Sequence, residues 1–254
     1  MKYRRRDFLA CSSALLVAAN LSAEESSPAD KGASSKHPTV IELFTSQGCS
    51  SCPPADRVLA EYVKLHHQEQ LPVLGLSFHV DYWNYLGWSD PFSSPRWSRR
   101  QKLYASVLNE KRVYTPQMIV GGRDGLVGSR RKQLDALLAD HFSRQPEHEI
   151  ELQVKLNSSN EIEIAHTVAG ESAGKILNVA VIARSLKATA SRGENAGRTL
   201  THSNVVRDFA QRRLDAGDGE VRFDLPRDKS DLAVIAYVQD IKAANVSGAT
   251  EVDV

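Results

Sequence analysis

Cysteine is scarce in this sequence. Its 254 residues hold three, Cys11, Cys49 and Cys52, and the first lies in a segment expected to be removed, which leaves a single pair. No second Cys-x-x-Cys is present, so a closed zinc site would need His or carboxylate partners such as His79 and Asp81. Charge of one sign is equally lacking. Lys plus Arg number 32 against 31 for Asp plus Glu, which leaves no surplus to neutralise a phosphate backbone and excludes nucleic acid as a partner. No apolar run reaches the roughly 20 residues of a membrane span, and no internal repeat of roughly 20 to 50 residues is found. What remains is ordinary globular composition, 41% hydrophobic and 25% charged, excluding disordered and collagen-like chains.

Residues 1–23 read as an export signal. Arg5-Arg6-Asp7-Phe8-Leu9 precedes a weakly apolar stretch with small residues near Ala19 and Ala23, the order of a cleavable secretory peptide. The paired arginines resemble the twin-arginine signal, and the mature chain is expected in the periplasm or outside the cell. Residues 24–37, rich in Ser, Ala, Asp and Lys without periodicity, read as a flexible linker.

Two regions follow. From 38 to 145 the order is β-α-β-α-β-β-α. Residues 40–44 form a short apolar strand, and Ala55, Val58, Leu59, Tyr62 and Val63 fall on one helical face. Pro53 and Pro54 fit the first turn of that helix. Residues 73–80 form a second strand. A loop rich in aromatics leads to a helix over 98–109, then a hairpin over 117–127 turning through Gly121-Gly122, then a helix marked by Leu134, Leu137, Leu138 and Phe142. From 146 to 254 the period changes to two, as in Ile150, Leu152, Val154 and Leu156. Further strands are expected over 177–186, 220–225 and 232–239, with a long polar loop over 191–207. This second region should form a mainly antiparallel β subdomain packed on the first.

Cys49-Ser50-Ser51-Cys52 stands where a strand ends and a helix begins. Unpaired N–H groups and the helix dipole favour a negative charge there, and such a setting lowers a thiol pKa from about 8.5. The two-residue spacer lets a mixed disulfide on one sulfur be resolved by the other. Two other uses of the pair are a fixed structural bridge, which closes too small a loop to constrain much chain, and part of a metal site. His79 and Asp81 end the second strand at the sheet edge where α/β proteins place ligands. They are candidates for acid/base or ligand roles, with capping and packing as the alternative.

Strand, Cys-x-x-Cys and helix, followed by Thr115-Pro116 before a hairpin, resemble the thioredoxin fold. More closely, the stretch from Ile41 through Cys49-Ser50-Ser51-Cys52 to Asp56 resembles a secreted thioredoxin-like family, Domain of Unknown Function 1223. His79-Val80-Asp81-Tyr82-Trp83, Tyr114-Thr115-Pro116-Gln117-Met118 and Arg192-Gly193-Glu194-Asn195-Ala196-Gly197-Arg198 share that resemblance. It implies an α/β thioredoxin-like domain with Cys49 as attacking thiolate, Cys52 as resolving thiol, and Thr115 with a cis Pro116 presenting backbone to substrate. Glu42 would match the buried acid of that fold and, if buried without a cation, would accept the proton of Cys52; an exposed Glu at a strand edge is the other reading. Gly48 stands where thioredoxins carry tryptophan, and the direction of electron flow stays open. The expected activity is exchange of protein disulfides with no cofactor beyond the Cys49–Cys52 couple. A copper-binding metallochaperone using Cys49, Cys52 and His79 is the alternative, and a scaffold recognising a partner through its β region is the third. The 192–198 stretch is expected to join strands rather than to cover the site.

Overall fold

The computed structural model describes residues 37–226 and 231–254. The stretch 1–23, expected to be an export signal, and almost all of the expected linker at 24–37 lie outside the described residues. Eleven strands and three α-helices follow in the order β1 (Thr39–Thr45), α1 (Pro53–His67), β2 (Val73–His79), α2 (Pro95–Val107), β3 (Gln117–Val120), β4 (Asp124–Val127), α3 (Arg131–Phe142), β5 (Glu149–Leu156), β6 (Glu161–Ala169), β7 (Lys175–Thr189), β8 (Thr199–Arg213), β9 (Asp218–Asp224), β10 (Leu232–Asp240) and β11 (Val246–Asp253). Among the described residues no helix is long and apolar enough to cross a membrane.

The strands form a mixed eight-stranded sheet in the order β11-β10-β7-β8-β2-β1-β3-β4 and a three-stranded antiparallel sheet, β5-β6-β9. β1 runs parallel to β2 from Thr39↔Val73 to Thr45↔His79 and antiparallel to β3. Alternation along β1 sends Ile41 and Leu43 to one face, where α1 and α3 cover them with Leu59, Tyr62, Leu134 and Leu138. Val40 and Phe44 go to the opposite face, against Trp97 and Tyr104 of α2. Gly75 in β2 is required by close packing, since a Cβ there would lie 2.8 Å from Leu59 and 2.9 Å from Val63 of α1.

The second region departs from expectation in how it attaches. β7, β8, β10 and β11 continue the first region's sheet edge to edge, and only β5-β6-β9 packs face-on, burying Ile162, Ile164, Val221 and Phe223 against Val179, Val181, Val234 and Val238. β7 is buried on both faces between Leu177 and Ala183, because the small sheet covers one side and the α2 core the other. The seam is the parallel contact of β2 with β8 at Ser77↔Val205, reinforced by the Asn204 side-chain amide donating to the Gly75 carbonyl at 2.9 Å.

The polar loop expected over 191–207 is shorter than that, because β8 starts at Thr199. Its inward positions before Val205 are Leu200, His202 and Asn204, all buried, so burial alternates while hydrophobicity does not. β11, Val-Ser-Gly-Ala-Thr-Glu-Val-Asp, carries no apolar periodicity because it is mostly half-buried, with one buried position at Gly248.

Glu42 fastens the two regions together. It is buried and faces α2, where Arg100 grips it with two hydrogen bonds of 2.6 and 2.7 Å. Tyr104 of α2 donates at 2.5 Å and Tyr237 of β10 at 2.9 Å to the same carboxylate. The expectation of a proton acceptor for Cys52 required burial without a cation. The guanidinium removes that condition, and Glu42 instead holds a helix and two strands in register. Removing the cation strands a buried charge, so Arg100→Met should lower the unfolding free energy by about 3–5 kcal/mol in urea titrations.

Candidate active site at the head of the first helix

The cysteines sit on the turn that converts β1 into α1. Cys49 N–H donates to Ser46 O and Cys52 N–H to Cys49 O, both at 3.2 Å, before Ala55 and Asp56 begin the helical pattern on Cys52 O. Pro53 and Pro54 occupy the first helical positions, where a missing N–H costs nothing. Cys49 and Cys52 are joined in a disulfide, which lies at the positive end of the α1 dipole.

The two sulfurs have different surroundings. The Ser51 and Thr115 hydroxyls each lie 3.3 Å from Cys49 Sγ. Trp83 Nε1 donates to Thr115 Oγ1 at 2.7 Å, so the threonine oxygen accepts from the indole and its own proton is left to point at sulfur. The Thr115–Pro116 bond is cis. Tyr82, on the same loop, has its phenol pushed up to about 12 by burial and stays protonated at neutral pH. Gly48 permits this approach of the aromatic loop: a Cβ there would stand 3.0 Å from Trp83 Cβ.

The disulfide is closed off. Cys49 and Cys52 are each 0% exposed, although Ser50 and Ser51 between them are exposed. The segment 192–198, expected to join strands rather than to cover the site, is fastened to the backbone of this turn. The buried Asn195 side-chain amide donates to Gln47 O and Cys49 O, both at 2.9 Å. Ser50 N–H donates to the Glu194 carboxylate at 2.8 Å, and the Ser50 donors hold that carboxyl below the usual range. Gly193 has φ +77°, a conformation costly for any residue with a Cβ.

Behind the disulfide lies a buried polar cluster. Gln47, 0% exposed, donates its N–H to Asp90 at 2.8 Å, accepts from Trp88 Nε1 at 2.9 Å, and brings Nε2 within 3.3 Å of His202 Nε2. His79 Nδ1 lies 2.7 Å from Asp90, and its ring packs edge-on against His202 with centroids 4.5 Å apart. Burial opposes ionisation of Asp90, but the His79 ring and the N–H groups of Gln47 and Phe92 outweigh it and hold the carboxyl below its ordinary value. Asp56 of α1 accepts from Thr45 Oγ1 at 2.9 Å and stands 3.6 Å from His202 Nδ1.

Of the residues singled out from sequence, the structure groups Cys49, Cys52, Thr115 and Pro116 into one site. His79 is buried in the cluster behind it. The Asp81 carboxylate accepts from Ser98 Oγ at 2.5 Å and the Asp81 N–H donates to the same oxygen at 3.2 Å, tying the end of β2 to α2. Among the described residues no group of three His, Cys, Asp or Glu side chains is placed to hold a metal ion while Cys49 and Cys52 are joined in the disulfide. Sequence reasoning did not assign Gln47, Trp83, Asn195 or His202. Asn195 lay within a quoted motif, whereas His202 sits on the strand that polar alternation concealed.

The family model described as "Protein of unknown function (DUF1223)" matches residues 40–239. The chain belongs to this family. Its fold is similar to the crystal structure of protein AGR_C_4864 from Agrobacterium tumefaciens, with 32% identity over 84% of this chain and 93% of that one and a TM-score of 0.61. HBP35 of Porphyromonas gingivalis shares the fold at 16% identity, with a TM-score of 0.63 over 86% of this chain and 76% of that one. No curated protein matches the sequence. The match of this DUF1223 chain starts within β1 and ends within β10, so it takes in the disulfide, Thr115-Pro116 and the segment 192–198 alike.

A hydroxyl donor stabilises a thiolate more than a thiol. Thr115→Val should therefore raise the Cys49 pKa by about one unit, equivalent to ~1.4 kcal/mol. Titration of the ultraviolet thiolate absorbance of the reduced protein measures it.

Proposed function

We propose that this chain is an exported thiol–disulfide oxidoreductase that exchanges disulfides of protein substrates through Cys49 and Cys52, and that residues 38–145 are a thioredoxin-like domain. The observation that carries the reading is the pair of hydroxyls, from Ser51 and Thr115, directed at the Cys49 sulfur at the start of α1. A merely structural bridge has no use for anion-stabilising donors on one of its two sulfurs. Helix N-terminus, hydroxyls and Cys-x-x-Cys spacing act together to favour a thiolate on Cys49.

The chemistry balances within the couple. Cys49 thiolate attacks one sulfur of a substrate disulfide, forming a Cys49–substrate bond while the other substrate sulfur leaves as a thiolate and takes a proton. Cys52 then gives up its proton and attacks the Cys49 sulfur, releasing the second substrate thiolate. The enzyme ends as the disulfide and the substrate has gained two electrons; the reverse sequence oxidises a dithiol. No further cofactor enters these steps.

In an insulin-disulfide reduction assay with a dithiol as electron source, the wild type should accelerate turbidity and Cys49→Ser should fall to background. Cys52→Ala should accumulate mixed disulfides separable on non-reducing gels. Wild-type turbidity no faster than the dithiol alone would overturn the reading.

A further inference from the structure

We infer that residues 190–198 form a redox-coupled lid, closed over the neutral Cys49–Cys52 disulfide and released when reduction leaves a thiolate on Cys49. The inference rests on the exchange activity proposed above and names how that site is regulated.

The lid is built as a unit. Its neck is closed by Ala190 N–H on Arg198 O at 3.1 Å and Gly197 N–H on Ala190 O at 2.8 Å, and the turn inside it by Ala196 N–H on Gly193 O at 3.2 Å. Arg198 braces the Asn195 side chain with a 2.6 Å hydrogen bond to Oδ1. These bonds are internal and survive a swing about the neck. What fastens the tip to the site is a smaller set: Asn195 on the Gln47 and Cys49 carbonyls, and Glu194 on the Ser50 N–H. All three fall on the backbone within two residues of the Cys49 sulfur, so the latch sits where the redox change occurs.

The two redox states interact differently with that latch. A disulfide is uncharged and loses little when water is excluded, whereas a thiolate sealed at 0% exposure loses its hydration. Glu194 brings a carboxylate to the peptide that follows Cys49, so in the reduced state two negative charges share one helix N-terminus. With a dithiol as reductant, the disulfide gives a Cys49 thiolate, a Cys52 thiol and one proton, and the reductant becomes a disulfide. The new anion competes with Glu194 for the same N–H field and favours the open lid, which returns water to the sulfur. The oxidised form is shielded by the same geometry, and reductants reach it through transient opening.

Hydrogen–deuterium exchange on the full chain, oxidised and then reduced with a phosphine, tests this without any thiol substrate. Amides of 192–197 should exchange about tenfold faster or more in the reduced wild type. Glu194→Gln keeps an acceptor for Ser50 but removes the charge, and should shrink that ratio. Asn195→Ala should speed exchange in the oxidised protein. The doubly substituted Cys49→Ala, Cys52→Ala chain carries neither bond nor charge and should keep the segment protected. Equal protection of 192–197 in both redox states of the wild type overturns the lid, and an open segment in the double variant overturns the role of the thiolate. Insulin reduction with an immobile segment defeats the lid alone; a mobile segment without insulin reduction defeats the oxidoreductase reading alone.

Discussion

The backbone between β1 and α1 must turn sharply while buried, and its polar groups must be satisfied there without water. Gln47 and Asn195 meet that constraint. Asn195 reaches in from 148 positions along the chain to take the Gln47 and Cys49 carbonyls, and Gln47 spends its own amide and N–H on His202, Trp88 and Asp90. The position of the Cys49 sulfur follows from this pinning. It lies at the mouth of α1, beside the Thr115 hydroxyl, with Glu194 and Asn195 from the distant half of the chain fastened to the backbone around it. A buried polar network of this kind specifies one backbone geometry because each unmet group would cost about 1–3 kcal/mol.

The same division of labour recurs away from the sulfurs. Glu42 and Arg100 tie α2 to β1 and, through Tyr237, to β10, and the Arg100 guanidinium lies 4.8 Å from the Phe209 ring centroid of β8. A charged pair, ringed by Tyr104, Tyr237 and Gln239, thus stands between the large sheet and α2 and fixes how the two parts of the sheet lie on one helix. The His79–His202 pair with Asp90 and Asp56 has a comparable place behind the disulfide, joining β2, β8 and α1.

Elements whose burial was written in hydrophobic periodicity were legible from sequence: β1, the face of α1, the β3–β4 hairpin, and the alternating strands β5 and β6. The cysteine pair stood out through residue type and spacing, and Thr115 and Pro116 through resemblance to the thioredoxin fold; the structure brings Thr115 to the Cys49 sulfur. What escaped was carried by polar side chains with tertiary partners. β8 buries His202 and Asn204, which satisfy Gln47 and Gly75 across the sheet, so its inner face looks like a loop when read alone. The Arg192 to Arg198 stretch looks like a connector because its function lies in what it touches. From sequence alone Glu42 reads either as a buried acid or as an exposed residue at a strand edge; its partner lies 58 residues away on α2, and no local pattern reveals that pairing.

The proposed exchange requires the reduced protein to distinguish its two sulfurs, with Cys49 as the one readied for attack. Reducing the chain, adding sub-stoichiometric iodoacetamide at neutral pH, and locating the label by peptide mass spectrometry tests this most directly. The label should fall on Cys49, with Cys52 modified about tenfold less or lower still. Equal labelling, or a preference for Cys52, would contradict it.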